Sequence, residues 1–169
     1  MASQRVVIVN TSPLINFAQI DRLDLLSDLF GEITVPPAVI AELREKREIF
    51  PKAAADSPTL RVIAPKNAAV ASTLTYELHA GEAECLALSL ELPSNVLLVL
   101  DDLAARAVAR HHRRNFTGTV GCLSLAKERG LIPLVAPLLT EMRQVARFWL
   151  KDDLVQALLA SLGEGNSPP

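Results

Sequence analysis

The chain has 169 residues, which is enough for one globular domain with a core and too few for two domains of ordinary size. Although 50% of the residues are hydrophobic, only 4% are aromatic, so the core must consist of aliphatic side chains, as in parallel strands packed between helices. A formal net charge of -2 excludes an overall field that attracts polyanions, so any binding of nucleic acid must depend on a local patch.

The cysteines and the hydropathy pattern indicate the environment of the protein. Cys85 and Cys122 lie far apart in apolar, helix-like patterns, so we expect buried, reduced thiols and neither a disulfide nor a zinc site. No apolar run reaches the roughly 20 residues of a membrane span, and the first residues lack the order of a signal peptide. We therefore expect a cytoplasmic protein with no membrane partner.

The first half of the chain alternates short apolar runs, typical of buried strands, with segments of helical spacing. A loop without clear periodicity, predicted to be exposed, follows at residues 50–58. The predicted elements are a strand over residues 6–9, a helix from Pro13 with Ser12 as its N-cap, a helix over residues 23–30, a strand over residues 32–35 and a helix opened by Pro36 and Pro37.

The second half continues the same alternation. The predicted elements are an edge strand over residues 60–64, a helix over 82–92, a strand over 96–100, a helix over 103–112, an irregular Thr- and Gly-rich segment over 116–121, a helix to Arg129, a helix opened by Pro133 and a last helix from about Lys151. Strands that alternate with helices imply parallel crossovers and a three-layer α/β/α sandwich. We expect one domain over residues 1–162 and a disordered tail over residues 163–169.

Polar residues follow two of the predicted strands. Asn10, Thr11 and Ser12 follow the first strand, and Asp101 and Asp102 follow the strand that ends at residue 100. Because sites in open parallel sheets form outside the carboxyl ends of the strands, both groups could face one crevice. Helix capping is the alternative, with Asp101 as N-cap and Asp102 in the first turn. The residues alone leave both interpretations open.

Acidic residues on two predicted helices add to this group. Glu42 lies within a turn of the apolar face of its helix, where a solvated glutamate is the ordinary interpretation. Glu82 and Glu84 lie in the first turn of their helix, where the helix dipole favours carboxylates without any function. Oxygen-rich clusters of Asp and Glu are nevertheless what Mg²⁺ or Mn²⁺ require. The combination, more than any single residue, indicates a metal site.

A basic patch lies after the acidic pair. Arg106 and Arg110 are one turn apart on the helix that begins beside Asp101, and they could lead a phosphate backbone toward a metal. The alternative is a solvated helix end whose cations suit the C-terminal dipole. Aromatic side chains that could stack bases are few and isolated, so we expect no sequence-specific reading of RNA.

Five motifs, in their order and spacing, resemble the PIN-domain superfamily, and more closely a branch of short prokaryotic PIN-like proteins related to toxin–antitoxin ribonucleases. Each motif is unspecific alone, and the likeness runs from about residue 6 to residue 141. The motifs are NTSPLI from Asn10, VPPAVIAEL from Val35, GEAE from Gly81, LDD from Leu100 and TGT from Thr117.

The resemblance implies an α/β/α fold and an RNA-cleaving activity that depends on Mg²⁺ or Mn²⁺. By position, the family's acidic residues fall on Asn10, Glu42, Glu82 and Asp101, with Glu84 and Asp102 as additional candidates, and its supporting hydroxyl falls on Thr11 or Ser12. The implied mechanism is metal-assisted hydrolysis, in which Glu42, Glu82 and Asp101 bind the ions that activate a water. A small antitoxin partner and a homodimer are further implications.

Asn10 departs from the family pattern, which has an acidic residue there. An amide oxygen can coordinate a hard cation but brings no charge, so metal affinity and water activation should both be weaker. Two hypotheses therefore remain: a metal-dependent ribonuclease, and a catalytically weak or inactive PIN-like module that binds nucleic acid or protein. A phosphoacceptor domain of the response-regulator kind is disfavoured, because such domains place their acidic pair after the first strand.

Overall fold

The computed structural model describes residues 5–50, 54, 57–93 and 95–165. In this part of the chain, five parallel strands form one sheet in the order β3-β2-β1-β4-β5. The strands are β1 (Val6–Val9), β2 (Ile33–Val35), β3 (Leu60–Val62), β4 (Val96–Val99) and β5 (Asn115–Thr117).

Helices cover both faces of this sheet and complete the predicted three-layer α/β/α sandwich. Helix α1 contacts α7, α8 and α3, helix α2 contacts α7, and helices α3, α4 and α6 each contact α5. The helices are α1 (Thr11–Gln19), α2 (Asp24–Phe30), α3 (Pro37–Glu45), α4 (Ala68–Leu74), α5 (Ala80–Glu91), α6 (Leu103–His111), α7 (Thr119–Glu128), α8 (Ala136–Val145) and α9 (Asp152–Ser161). Within the described ranges, every helix is too short or too polar to span a bilayer.

The strand order places a crevice beside β1. Strands β2 and β3 lie on one side of β1 in the sheet, and the later strands β4 and β5 lie on the other side. Val9 of β1 pairs with Val99 of β4. Such a reversal of the strand order opens a gap at the carboxyl ends of the two central strands, because their crossover helices lie on opposite faces. Asn10 and Asp101 follow these two strands.

The core is aliphatic, as the composition predicts. Strands β1 and β4 are apolar and almost completely buried, and side chains such as Leu86 and Leu123 fill the space between sheet and helices. Both cysteines are free and buried, which confirms the predicted buried thiols. Burial raises the pKa of the Cys122 thiol to about 12 and that of Cys85 well above its usual range, so both stay protonated.

Three predicted helix starts are wrong by two or three residues: α5 begins at Ala80, two residues before the predicted position, and a proline misplaced the other two. Helix α1 begins at Thr11 with Asn10 as N-cap, so Ser12 and Pro13 lie inside its first turn. Helix α8 begins at Ala136, three residues after Pro133. Proline is tolerated throughout a first helical turn, because the N–H groups there have no partner within the helix. A proline therefore indicates a nearby helix start without fixing its position.

Three predicted irregular segments contain ordered structure. Residues 116–121 include the end of β5 and the start of α7. Phe50 is only 1% exposed, so the prediction of an exposed loop is wrong at this residue, while residues 51–53 and 55–56 lie outside the described ones. Glu164, in the predicted tail, is 5% exposed, so the folded domain continues past residue 162. Residues 166–169 lie outside the described ranges.

Candidate functional site

A cavity of about 530 Å³ opens at the carboxyl end of β1. Its walls come from three places: the β1–α1 junction, helix α3 with the residue after it, and the start of α5. They bring together three of the sequence-predicted metal ligands, Asn10, Glu42 and Glu82, with both predicted hydroxyl residues, Thr11 and Ser12. The remaining lining residues are Ala38, Ala41, Glu45, Lys46, His79 and Ala80.

Asn10 lines this cavity and has a buried side-chain oxygen without a partner. The residue is 2% exposed, and its Oδ1 has no hydrogen-bond partner among the described residues. Although Asn10 is the N-cap of α1, its side chain makes no capping hydrogen bond. A buried acceptor without a partner costs about 1–3 kcal/mol, so a ligand that approaches this oxygen would offset an existing penalty.

Glu42 is held from two sides. The Thr11 hydroxyl donates to its Oε2, and the Gly81 N–H donates to its Oε1 at 2.8 Å. A Cβ at position 81 would lie 2.8 Å from the same Oε1, so only glycine allows this approach without a shift. The carboxylate of α3 is thus fixed by donors from α1 and α5.

Glu82 is the cavity carboxyl group whose pKa is shifted from its usual value. It is 7% exposed, and its Oε2 accepts a hydrogen bond from the His79 N–H at 3.1 Å. Burial raises the pKa of Glu82 above its usual value, and the negative charges of Asp102 and Glu42 raise it further, although the His79 hydrogen bond opposes them. A divalent cation would offset both the cost of burying the Glu82 charge and its repulsion by the neighbouring carboxylates.

Asp101 does not line the cavity, and its carboxylate lies on the β5 side of the crevice. Its Oδ1 accepts the Thr119 N–H at 2.8 Å, and its Oδ2 accepts the Thr119 hydroxyl at 2.6 Å and the Asn16 side-chain amide at 3.1 Å. Arg106 Nη2 lies 3.7 Å from Oδ1. The carboxylate of Asp101 is thus held by donors from α1, α6 and α7, and the residue is not among those that line the cavity.

The neighbouring acidic candidates cap helices. Asp102 is the N-cap of α6 and accepts the Ala105 N–H at 2.9 Å, so the capping role lies one residue later than the sequence alternative places it. Glu84 accepts the Ala38 N–H at 2.8 Å, in the first turn of α3. Neither residue lines the cavity, although the charge of Asp102 reaches Glu82.

The predicted basic residues also lie outside the cavity. Arg106 Nε donates to the Leu100 carbonyl at 2.7 Å. The guanidinium carbons of Arg106 and Arg110 lie 6.0 Å and 5.4 Å from the centre of the Phe116 ring. Both cations therefore pack on an aromatic face, and Arg106 is committed to the loop that carries Asp101.

A family model described as a PIN domain matches residues 6–164. The chain belongs to the PIN-domain family. No curated protein and no solved structure matches it. The match covers the whole sheet, the cavity and Glu164, so the fold prediction and the family resemblance are both confirmed.

PIN domains generally depend on divalent metal ions. Among the described residues, no group of three or more His, Cys, Asp and Glu side chains is already arranged to hold a metal. The residues that line the cavity include two carboxylates, Glu42 and Glu82, and Asn10, whose amide oxygen has no partner among the described residues. Mg²⁺ commonly takes one or two carboxylates and several waters, so this all-oxygen set fits a hard divalent cation.

Sequence reasoning missed Asn16 and Thr119 as site residues. Asn16 is 7% exposed and Thr119 is fully buried, and both donate to Asp101. Asn16 could have been found as a polar residue within the apolar stripe of α1, because buried polar groups need partners. Thr119 belongs to the TGT motif, but the motif assigned it no role, since a threonine opening a helix is usually an ordinary cap.

Proposed function

We propose that this PIN-domain chain is a metal-dependent ribonuclease that hydrolyses the phosphodiester backbone of RNA at the cavity beside β1. The family indicates a nuclease-type fold and an interaction with nucleic acid. The unpartnered Oδ1 of Asn10, in a cavity wall shared with Glu42 and Glu82, is the observation that carries the proposal. Without a ligand this arrangement leaves an acceptor unpaired and two carboxylates in mutual repulsion.

Asn10, Glu42 and Glu82 are the residues that would hold Mg²⁺ or Mn²⁺, which supplies polarisation of a phosphoryl oxygen and a water of lowered pKa when bound. Thr11 and Gly81 fix the orientation of the Glu42 carboxylate, and the His79 N–H fixes that of Glu82. Such preorganisation matters because the carboxylates need not reorient when the substrate arrives.

Asp101 has a different part in this proposal. Thr119, Asn16 and Arg106 surround its carboxylate, and Asp101 thereby ties the loop after β4 to the start of α7. We assign Asp101 a positioning role at the edge of the crevice and leave the metal to the three cavity residues.

The decisive test is RNA cleavage by purified wild type, Glu42→Gln and Glu82→Gln, with Mn²⁺ or Mg²⁺ and with chelator. Glu84→Gln is the matched control, because Glu84 lies two residues from Glu82 on α5 and outside the cavity. We expect chelator-sensitive cleavage that falls at least about 10- to 100-fold in both cavity variants and little in the control, since even the loss of a residue that only supports a metal ligand costs about that much. Equal cleavage by Glu82→Gln and Glu84→Gln would contradict the site assignment.

A PIN-like module that binds nucleic acid or protein without cutting is the second candidate. The neutral side chain of Asn10 favours it, because a site with one charge fewer holds a divalent ion more weakly. Asn10→Asp separates the two candidates. A charge added close to a divalent ion is worth several kcal/mol before desolvation, so we expect Mn²⁺ affinity to rise at least about tenfold. If only the Asp variant cleaves RNA, the natural chain is the non-cutting module.

We extend the proposal to a toxin that forms a homodimer and is restrained by a small antitoxin. The support is the resemblance of the chain to toxin–antitoxin ribonucleases. Expression of the wild type in a bacterial host should arrest growth, whereas Glu82→Gln should not, and light scattering should give twice the monomer mass. Normal growth with active enzyme in the cell extract would contradict the toxin role while leaving RNA cleavage intact.

A further inference from the structure

Lys46 is the cation of the candidate cavity. Apart from Lys46 and His79, the ionisable residues that line the cavity are the acidic Glu42, Glu45 and Glu82. Lys46 is exposed at the C-cap of α3, and its ammonium makes no ion pair or hydrogen bond within the described part of the chain.

The geometry of α3 explains why Lys46 has no partner. Glu42 lies four residues earlier on the same face of the helix, the spacing at which glutamate and lysine normally pair. However, the two carboxylate oxygens of Glu42 accept hydrogen bonds from Thr11 and Gly81. The backbone of Lys46 therefore lies about one helical turn from that of Glu42, whose carboxylate is held by other donors.

The phosphate backbone of RNA is repelled by the carboxylates that line the cavity, so its binding there requires a nearby cation. The basic residues predicted from sequence do not supply one, because Arg106 donates to the Leu100 carbonyl and packs with Arg110 on Phe116. A lysine ammonium on a flexible stem is a point charge that suits a phosphate group.

We propose that Lys46 binds the RNA backbone, by contacting a phosphate next to the one that enters between Glu42 and Glu82. This inference rests on the proposed ribonuclease function for its ligand. It moves the main backbone contact from α6 to the end of α3, so that the RNA strand runs along α3 and across the cavity.

The test is the binding of a fluorescently labelled single-stranded RNA, followed by anisotropy in chelator, where metal-dependent cleavage does not occur. Arg47→Ala is the matched control for Lys46→Ala, because Arg47 is the next residue, is exposed and does not line the cavity. Loss of one phosphate contact to a single strand reduces the magnitude of the slope of log K against log salt by about 0.7. If variant and wild type bind equally at 1 M salt, the variant therefore binds about fivefold more weakly than the wild type at 0.1 M salt.

We expect this loss in Lys46→Ala, a larger loss in Lys46→Glu, recovery in Lys46→Arg and near wild-type binding in Arg47→Ala. Equal effects of the two alanine variants, or no measurable RNA binding by the wild type, would overturn the inference. Lys46-dependent binding without metal-dependent cleavage would retain the inference and reject the ribonuclease. Metal-dependent cleavage by the wild type, together with RNA binding that is unchanged in Lys46→Ala, would retain the ribonuclease and reject the role of Lys46.

Discussion

The backbone N–H of Gly81 donates to Glu42 Oε1 at 2.8 Å and so joins the first turn of α5 to α3 at the cavity. The two residues are 39 positions apart in the chain. A second contact between the same helices runs from the Ala38 N–H to Glu84, which does not line the cavity. The orientation of a proposed metal ligand thus depends on the absence of a side chain at position 81.

Gly81→Ala should weaken metal binding with little change in stability. The added Cβ would meet both carboxylate oxygens of Glu42, at 2.8 Å and 2.9 Å, so the carboxylate must move. Alanine is favoured over glycine in a helix by roughly 0.5–1 kcal/mol, which offsets part of the strain. We expect Mn²⁺ affinity to fall about tenfold or more, and the free energy of unfolding, measured in urea, to change by less than about 1 kcal/mol.

A double-mutant cycle with Glu42→Ala identifies the cause of this loss. Without the Glu42 carboxylate, the three atoms nearest to a Cβ at position 81 are gone, so Gly81→Ala should no longer affect Mn²⁺ binding and should stabilise the helix. An equally large loss of affinity in the Glu42→Ala background would show that Gly81→Ala acts by another route.

Glu82 should make the metal-free protein less stable as the pH rises. Because burial and the charges of Asp102 and Glu42 raise the pKa of Glu82 above 4.5, the folded state holds its proton longer than the unfolded state. Stability should therefore fall as pH rises from about 4.5 through the folded-state pKa, and remain lower at neutral pH. Glu82→Gln removes this loss, so its melting temperature in chelator should exceed that of the wild type at pH 7.

Saturating Mn²⁺ should reverse the order of the two proteins. At a free metal concentration 100 times Kd, binding stabilises the wild type by about 2.7 kcal/mol, or roughly 5–11 °C for a domain of this size. Glu82→Gln should gain much less. If Mn²⁺ at concentrations that support cleavage does not raise the melting temperature of the wild type, Glu82 is not a metal ligand.

Thr119 should stabilise the protein through Asp101. Thr119→Val keeps the shape of the side chain but removes the hydroxyl that donates to Asp101 Oδ2 at 2.6 Å. Hydrogen bonds to charged groups contribute about 1.5–3 kcal/mol, so the melting temperature should fall by roughly 3–12 °C. Thr119→Ser keeps the donor and should lose much less. A Thr119→Val protein as stable as the wild type would show that the hydrogen bond from the hydroxyl to Asp101 contributes nothing to stability.

The strands that were predictable from sequence are those whose residue pattern suits only one kind of structure. Strands β1 and β4 are apolar runs that end in polar turn residues, and only a strand buried on both faces suits that pattern. Strand β5 has three residues, Asn, Phe and Thr, and its exposure shows no buried run. It exists because the edge of β4 offers it a hydrogen-bonding partner, and a short sequence window does not contain that information.

The candidate site was predictable in its position and only partly in its contacts. The rule for strand ends and the family pattern place Asn10, Glu42 and Glu82 at one edge of the sheet, and the structure brings them to one cavity. The orientation of Asp101 depends on Asn16, which is 85 positions away, and no local pattern encodes that contact. Lys46 belongs to a charged run that resembles an ordinary solvated helix end.

The C-terminal segment contains a second unusual carboxylate, and its pH dependence should have the opposite sign. Glu164 Oε1 accepts from Lys127 Nζ at 2.6 Å and from the Val135 N–H at 2.8 Å, and its Oε2 accepts the Ala136 N–H at 2.8 Å. Burial alone raises the pKa of Glu164, but these hydrogen bonds outweigh it and lower the pKa below 4.5. Glu164 thus joins α7, the start of α8 and the residues after α9.

Glu164→Gln should destabilise the protein at neutral pH and by less in acid. A lowered folded-state pKa contributes stability that is present above about pH 4.5 and is lost as the pH falls through the folded-state value. Loss of the charge-assisted bonds should cost about 2 kcal/mol at pH 7, or roughly 4–8 °C in melting temperature. Glu128→Gln, an exposed carboxylate on α7, is the matched control and should change little. A difference from wild type that stays constant from pH 7 to pH 3 would show that the charge of Glu164 contributes nothing.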